Sequence, residues 1–233
     1  MTHRLGTLEL GGRPRIVAAG GEHEIDALGV TKAADVIELR ADLFTAPAPE
    51  GIVAALVRLR AAARPLLLTV RAASEGGRGG TDAHRAAIYE ACLAHADAID
   101  VEIASQALAE RLVPLARARG RTVILSAHFL DSTPAAERLL ALVDQGFASG
   151  ADLVKLATWA HTLEDVRTLL SVTLAARARG VVTMAMGPVG TISRVIFPAA
   201  GSLLTYGCVG APTAPGQLPV EELARDIERF YTA

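Results

Sequence analysis

Short apolar runs recur along the chain, each followed by a longer segment whose apolar positions fall at helical spacing. Arg15–Gly20 is the first run, with a Glu-rich helical start at Glu22. Asp35–Arg40 is the second, followed across a proline-containing loop by an amphipathic pattern over Glu50–Ala63. Pro65–Arg71 is the third, and a polar, glycine-rich segment, Ser74–Thr81, separates it from a helix over Asp82–Ala96. Ala98–Ile103 is the fourth, with a helix through Ser105–Arg119 that stops at Gly120. Arg121–His128 is the fifth, and Thr133-Pro134 predicts a capped helix start with proline at its first position. Asp152–Ala157 is the sixth, with Thr162 capping a helix to Arg179 that Gly180 ends. Val181–Met186 is the seventh, Ser202–Gly207 the eighth, and Pro219–Tyr231 a closing helix.

Eight strands alternating with helices predict an α/β fold, a single-domain (β/α)8 TIM barrel over residues 1–233. An open doubly wound sheet would carry a glycine-rich phosphate loop after its first strand, and Ala18-Ala-Gly-Gly-Glu lacks that spacing. In a barrel, the C-terminal ends of the strands carry the site, and polar residues collect there. Strand two ends Glu38-Leu39-Arg40, with Asp42 beyond, and alternation puts Glu38 and Arg40 on one side. Strand three ends at Arg71, with Glu75 in the loop; strand four offers Asp100 and Glu102; strand five ends at His128. One such ion pair could be structural, but polar residues from five strands at one end indicate a site.

Strand six adds the most distinctive residue. Residues 151–158, Ala-Asp-Leu-Val-Lys-Leu-Ala-Thr, read as a buried strand with a lysine in its middle. Of 23 basic residues only Lys32 and Lys155 are lysines, and arginine cannot form an imine. A buried charge must be paired or lost, and a buried amine is one route to a nucleophile for carbonyl substrates. The alternative is a lysine that snorkels to the strand end and pairs with an acid.

Composition narrows the partners. A hydrophobic fraction of 51%, much of it alanine, favours a packed core, and no apolar run is long enough for a bilayer span. The early arginine and missing apolar h-region predict no secretory signal. A net charge of −2 gives no pull toward nucleic acid or anionic membrane. Cys92 and Cys208 are too few for a disulfide framework or zinc site, and read as free thiols of a cytoplasmic protein. His3, His23, His84, His95 and His161 read as surface residues, and no pair has metal-ligand spacing. Glu38, Glu75, Glu102 and His128 could converge on a metal, but Arg40, Arg71 and Arg194 at the same mouth favour an anion. No metal and no cofactor are expected. Gly187–Arg194 lacks the glycines that wrap a phosphate, and Arg194 at a helix start suits a carboxylate. Thr213-Ala-Pro-Gly-Gln217 suits a lid over the mouth.

Taken in order, the motifs Glu38-Leu-Arg40-Ala-Asp42, Thr69-Val-Arg71-Ala-Ala-Ser-Glu75-Gly-Gly, Ile99-Asp100-Val-Glu102, Ser126-Ala-His128, Ala151-Asp-Leu-Val-Lys155-Leu-Ala, Thr183-Met-Ala-Met186, Ile192-Ser-Arg194 and Ala214-Pro-Gly-Gln217 cover nearly the whole chain. The series resembles the type I 3-dehydroquinate dehydratases. The resemblance implies a hydro-lyase that converts 3-dehydroquinate to 3-dehydroshikimate in the shikimate pathway. It implies Lys155 as Schiff-base lysine, His128 as general acid and base, Glu75 as the group orienting it, and Asp100 as further support. Glu38, Arg40 and Arg71 match substrate-binding positions, Arg194 the carboxylate clamp, and Thr213 and Gln217 the lid. A homodimer is implied as well. Three positions depart from the usual pattern: Thr213 and Ala18 stand where serine is frequent, and Phe129 where an acid often follows the histidine. Another imine-forming barrel of the class I aldolase kind is an alternative, distinguished by a phosphorylated substrate. A non-catalytic sensor of shikimate-like ligands is a second, against which the retained Lys155 and His128 count.

Overall fold

The computed structural model describes residues 3–231. The eight expected strands form a parallel barrel: β1 Arg15–Gly20, β2 Val36–Arg40, β3 Leu66–Thr69, β4 Ala98–Glu102, β5 Thr122–Phe129, β6 Leu153–Trp159, β7 Val181–Met186 and β8 Leu204–Cys208. The hydrogen-bonded ladder runs from β8 through β1 and onward in sequence order to β7. The seam between β7 and β8 closes differently: Leu203 N–H donates to the Val181 carbonyl at 2.9 Å, and the Ser202 hydroxyl accepts from Thr183 N–H at 2.9 Å. Outside lie helices α1 Ile25–Val30, α2 Pro49–Leu59, α3 Asp82–Cys92, α4 Gln106–Arg117, α5 Ala136–Ala148, α6 Leu163–Ala176, α7 Ser193–Ala200 and α8 Val220–Phe230. Among the described residues no helix is long and apolar enough to cross a membrane.

Strand alternation divides the core in two. Ile37, Leu39, Leu68, Ile99, Val101, Val154 and Leu156 face the helices, while Val17, Val36, Leu67, Ile124, Leu153, Val182 and Leu204 fill the barrel interior. Moving two residues toward each C-terminus replaces that inner apolar layer with Glu38, Thr69, Ser126, Lys155, Met184 and Tyr206. The period of two that builds the core thus also lifts the chemistry one layer above it.

Several boundaries differ from the expectation. β3 stops at Thr69 because the Val70 N–H donates to the Tyr89 hydroxyl at 2.9 Å instead of continuing the ladder. Arg71 therefore lies beyond the strand, where the glycine-rich loop wraps its backbone: Gly79 N–H donates to the Arg71 carbonyl at 2.9 Å. A side chain at Gly77 would sit 2.2 Å from that same carbonyl, so only glycine fits. Thr133 is not a helix cap. Its hydroxyl donates to the Trp159 carbonyl at 2.8 Å, tying the loop to β6, and α5 begins at Ala136 after Ala135 as N-cap. Thr162 does cap α6, in a reciprocal box with Asp165. An N-terminal hairpin, His3–Leu5 with Leu8–Leu10, plugs the bottom of the barrel with Leu5 and Leu10. Each arm is three residues long, too short for alternation to mark it as a strand.

Candidate active site

Strand register assembles the site. Ser126 on β5 lies opposite Lys155 on β6, and Thr69 on β3 opposite Asp100 on β4. Lys155 Nζ reaches Asp100 Oδ2 at 2.8 Å and stands 3.9 Å from Glu38 Oε1. The lysine is thus buried but paired, with its amine held inside the barrel rather than snorkelling out. Asp100 in turn accepts from Ser126 Oγ at 2.6 Å and from Arg71 Nη2 at 2.9 Å. Burial opposes the Asp100 charge, but Arg71 and Lys155 hold its carboxyl well below the usual carboxylate range.

Further buried charges brace this pair. Arg71 Nη1 donates to Glu102 Oε1 at 2.7 Å and to Ser126 Oγ at 2.8 Å. Arg85, fully buried on α3, grips the other Glu102 oxygen and donates from Nε to the Val70 carbonyl at 2.9 Å. Charges this deep persist only when each is paired, and the chain from Arg85 through Glu102, Arg71 and Asp100 ends at Lys155. At the mouth, Arg40 and Asp42 form a two-pronged pair, both bonds 2.8 Å. Glu38 Oε1 accepts from Thr69 Oγ1 at 2.7 Å.

His128 leans on Glu75. One carboxylate oxygen, Glu75 Oε2, meets both the His128 backbone N–H at 2.9 Å and its Nδ1 at 2.8 Å. Nε2 is left without a protein partner among the described residues, on a ring that lines the cavity. Burial, with Arg71 and Lys155 nearby, holds the imidazole well below its ordinary 6.5. Burial likewise pushes the Glu75 carboxyl up to about 7, against the pull of Arg71. Hydrogen-bonded at 2.8 Å, the two groups influence each other's protonation.

Across the cavity, Arg194 is buried without a carboxylate partner among the described residues. Its guanidinium donates to the Gly216 carbonyl at 2.8 Å and the Tyr206 carbonyl at 3.1 Å. Burial pushes it down to about 10. A buried cation held by carbonyl dipoles and the Met184 sulfur has the capacity to pair with an anion. The loop from Thr213 to Gln217 lies against it: Gln217 Oε1 accepts from Thr213 N–H at 2.8 Å, from the Thr213 hydroxyl at 2.9 Å and from Ala214 N–H at 3.3 Å. Gly216 adopts φ 73° and presses within 2.5 Å of the Gly187 carbonyl at its missing Cβ, a conformation only glycine takes there. The cavity encloses about 630 Å³ when its open mouth is included.

Glu38, Arg40, Arg71, Glu75, His128, Lys155, Arg194, Thr213 and Gln217 line this cavity, and Asp100 meets it through Lys155; Ala18 and Phe129 do not line it. Ala18 faces the helix layer, and the inward residue late in β1 is Ala19, opposite Glu38. The missing serine hydroxyl is thus to be sought at Ala19. Phe129 packs beneath Arg138, 5.3 Å from the guanidinium carbon. Met184 and Met186, given no role in the sequence beyond their motif, line the cavity, as does Tyr206, which no sequence signal singled out; Arg85, also unmarked, lies on a helix. Alternation from Leu204 would have found Tyr206; nothing local marks Arg85. No group of three or more His, Cys, Asp or Glu among the described residues is arranged to hold a metal ion.

The family model of type I 3-dehydroquinase matches residues 19–229. The 3-dehydroquinate dehydratase of Methanococcoides burtonii is 35% identical, the match covering 97% of this chain and 98% of that one. That of Shouchella clausii is 36% identical, over 90% and 87%. Among solved structures, 3-dehydroquinate dehydratase from Geobacillus kaustophilus superposes with a TM-score of 0.92 at 28% identity, covering 100% of this chain and 98% of that one. The type I enzyme from Clostridium difficile, solved with covalently modified comenic acid, gives 0.90 at 28%, over 100% and 99%.

Proposed function

The chain belongs to the type I 3-dehydroquinase family, and from that premise we infer how its own residues carry the dehydration of 3-dehydroquinate to 3-dehydroshikimate. The Lys155 amine attacks the ring ketone at carbon 3, and loss of water from the adduct leaves an iminium. The iminium withdraws electrons from carbon 2, whose proton is otherwise hard to remove. His128 takes that proton at Nε2, and Glu75 steadies the imidazolium at Nδ1. The electron pair then expels the hydroxyl from carbon 1 as water, with His128 returning the proton. Hydrolysis of the conjugated imine frees the enone and restores Lys155.

Arg194 binds the carboxylate on carbon 1, which fixes the ring so that carbon 3 reaches Lys155 and carbon 2 reaches His128. Glu38, Arg40 and Arg71 face the ring hydroxyls. Gln217 and Thr213 close over the carboxylate end and exclude water from the imine. The observation that carries this reading is the placement of a buried lysine and a buried, acid-free arginine in one small cavity. A phosphorylated aldolase substrate would need more donors than Arg194 and its neighbours supply. We also place the protein in the cytoplasm, supported by two buried free thiols. A homodimer is supported by exposed Leu163, Ile192 and Ile196 around α6 and α7.

Adding 3-dehydroquinate should produce the ultraviolet absorbance of a conjugated enone, and Lys155→Ala should produce none. Full turnover by Lys155→Ala would remove the imine from the account.

A further inference from the structure

Two side chains of α3, Arg85 and Tyr89, hold the chain where it leaves β3 for the loop that carries Glu75, and neither lines the cavity. Both are fully buried, and a spacing of four puts them on one face of the helix. The Tyr89 hydroxyl accepts from the Val70 N–H at 2.9 Å and donates to the Asp100 carbonyl. Arg85 Nε donates to the Val70 carbonyl at 2.9 Å. Both backbone groups of Val70 are thus held by side chains of α3.

The hold extends along the loop. Arg85 Nη2 grips one Glu102 oxygen, and the other, Oε1, accepts from Arg71 Nη1 at 2.7 Å and from the Ala72 N–H at 2.9 Å. The Ala72 carbonyl in turn accepts from the Glu75 N–H at 3.1 Å and from the Gly77 N–H at 3.0 Å. The turn that presents Glu75 to His128 therefore hangs from Ala72, and Ala72 from Glu102. Arg85 Nη1 is fixed as well, by Asp82 at 2.7 Å and the Ser105 hydroxyl at 2.9 Å. Helix packing alone does not call for this arrangement, since a buried ion pair is often no more stabilising than apolar side chains of equal volume. A planar fork with all three nitrogens engaged does define where its partners sit.

We propose that Arg85, together with Tyr89, is a positioning residue for the dehydration: the two fix Val70–Ala72 and thereby set Glu75 against His128 Nδ1. The inference rests on the imine at Lys155 and on His128 as the base that Glu75 steadies. Arg71 has anchors of its own in Asp100 and Ser126, and Lys155 lies on β6 across the barrel. The brace therefore serves proton transfer, rather than imine formation or substrate binding, by keeping the base in line with its proton.

The test is a pair of double-mutant cycles with Glu75→Ala. Arg85→Lys keeps the charge but loses the fork, and Tyr89→Phe removes only a hydroxyl. Each is made alone and on Glu75→Ala, and kcat, KM and borohydride trapping of 3-dehydroquinate on Lys155 are measured at a temperature where the variants keep the native circular dichroism. Arg85→Lys should lower kcat about 10- to 10²-fold, the cost of a misplacement of about 1 Å, and Tyr89→Phe about 3- to 10-fold. Both should move KM less than about threefold and leave the fraction of Lys155 trapped unchanged. On Glu75→Ala, with no carboxylate left to position, the same substitutions should cost less than about twofold. Equal losses with and without Glu75, a loss confined to KM, reduced trapping, or wild-type kcat in either variant would overturn the assignment. If Arg85→Lys does not fold, Tyr89→Phe decides; if neither folds, the role is structural and the assignment fails. Wild type that is trapped and turns over while any of these occurs leaves the imine reading standing, and wild type that is not trapped refutes both.

Discussion

Replacing Glu75 with glutamine isolates what its charge does. The amide oxygen can still accept from the His128 backbone N–H and from Nδ1–H, which now meet Glu75 Oε2 at 2.9 and 2.8 Å. The ring keeps its orientation and only the charge is lost. In the wild type the carboxyl is pushed up to about 7 and the imidazole well below 6.5. Below that range the pair holds one more proton, Nε2 is occupied, and no base is available. As pH rises through about 7 the pair loses that proton and kcat rises. In Glu75→Gln the imidazole titrates alone, without a carboxylate favouring its charged form, so the rising limb moves to lower pH. The imidazolium formed during proton abstraction is also less stable. Two charges about 4 Å apart in an effective dielectric of about 20 attract by about 4 kcal/mol. The smallest clear ion-pair effect, about one pK unit, is about 1.4 kcal/mol. Plateau kcat should therefore fall between about 10-fold and 10³-fold. The assay is enone absorbance against pH, with kcat and kcat/KM resolved separately. A variant whose kcat stays within a factor of about two, with an unmoved profile, would refute the charge role of Glu75.

Arg194→Met should raise KM at least about tenfold, the worth of a charge-assisted hydrogen bond to the substrate carboxylate, and weaken thermal stabilisation by product. An unchanged KM would move the carboxylate elsewhere. Gln217→Ala removes the acceptor that gathers three lid donors, and should raise KM about 3- to 10-fold while leaving the unfolding temperature of the free enzyme nearly unchanged. Unaltered kinetics would rule out a lid role. Arg85→Met breaks a fully buried ion network and should destabilise the protein by about 3 to 5 kcal/mol in denaturant unfolding. A loss under about 1 kcal/mol would show that Glu102 and Arg71 hold each other without it.

Much of the site was legible because one rule, alternation along a strand, governs both core and chemistry. Glu38, Asp100 and Lys155 could be placed facing the barrel interior from that rule and the barrel topology, with His128 one step higher on β5, opposite Ala157. Arg71 illustrates its limit. The apolar run passes through Val70 to Arg71, but the Tyr89 hydroxyl takes the Val70 N–H, a contact between β3 and α3 that no local pattern encodes. Arg85 was hidden for the same reason, since an arginine at helical spacing reads as solvated until its partner Glu102 is brought beneath it. Ala18 was assigned one residue out of phase, and a slip of one in a strand exchanges the interior for the helix layer. Lys155 was expected to be buried; that Asp100 would neutralise it at 2.8 Å required knowing the β4–β5–β6 register.

The mechanism depends on the covalent bond at Lys155. Borohydride added during turnover of 3-dehydroquinate should reduce the imine, inactivate the enzyme irreversibly and leave the ligand mass on the peptide containing Lys155. Lys32, exposed before β2, is the only other lysine and should stay unmodified. Lys155→Ala should fold and escape the label. Label on Lys32, or wild-type turnover that borohydride neither traps nor stops, would contradict the mechanism.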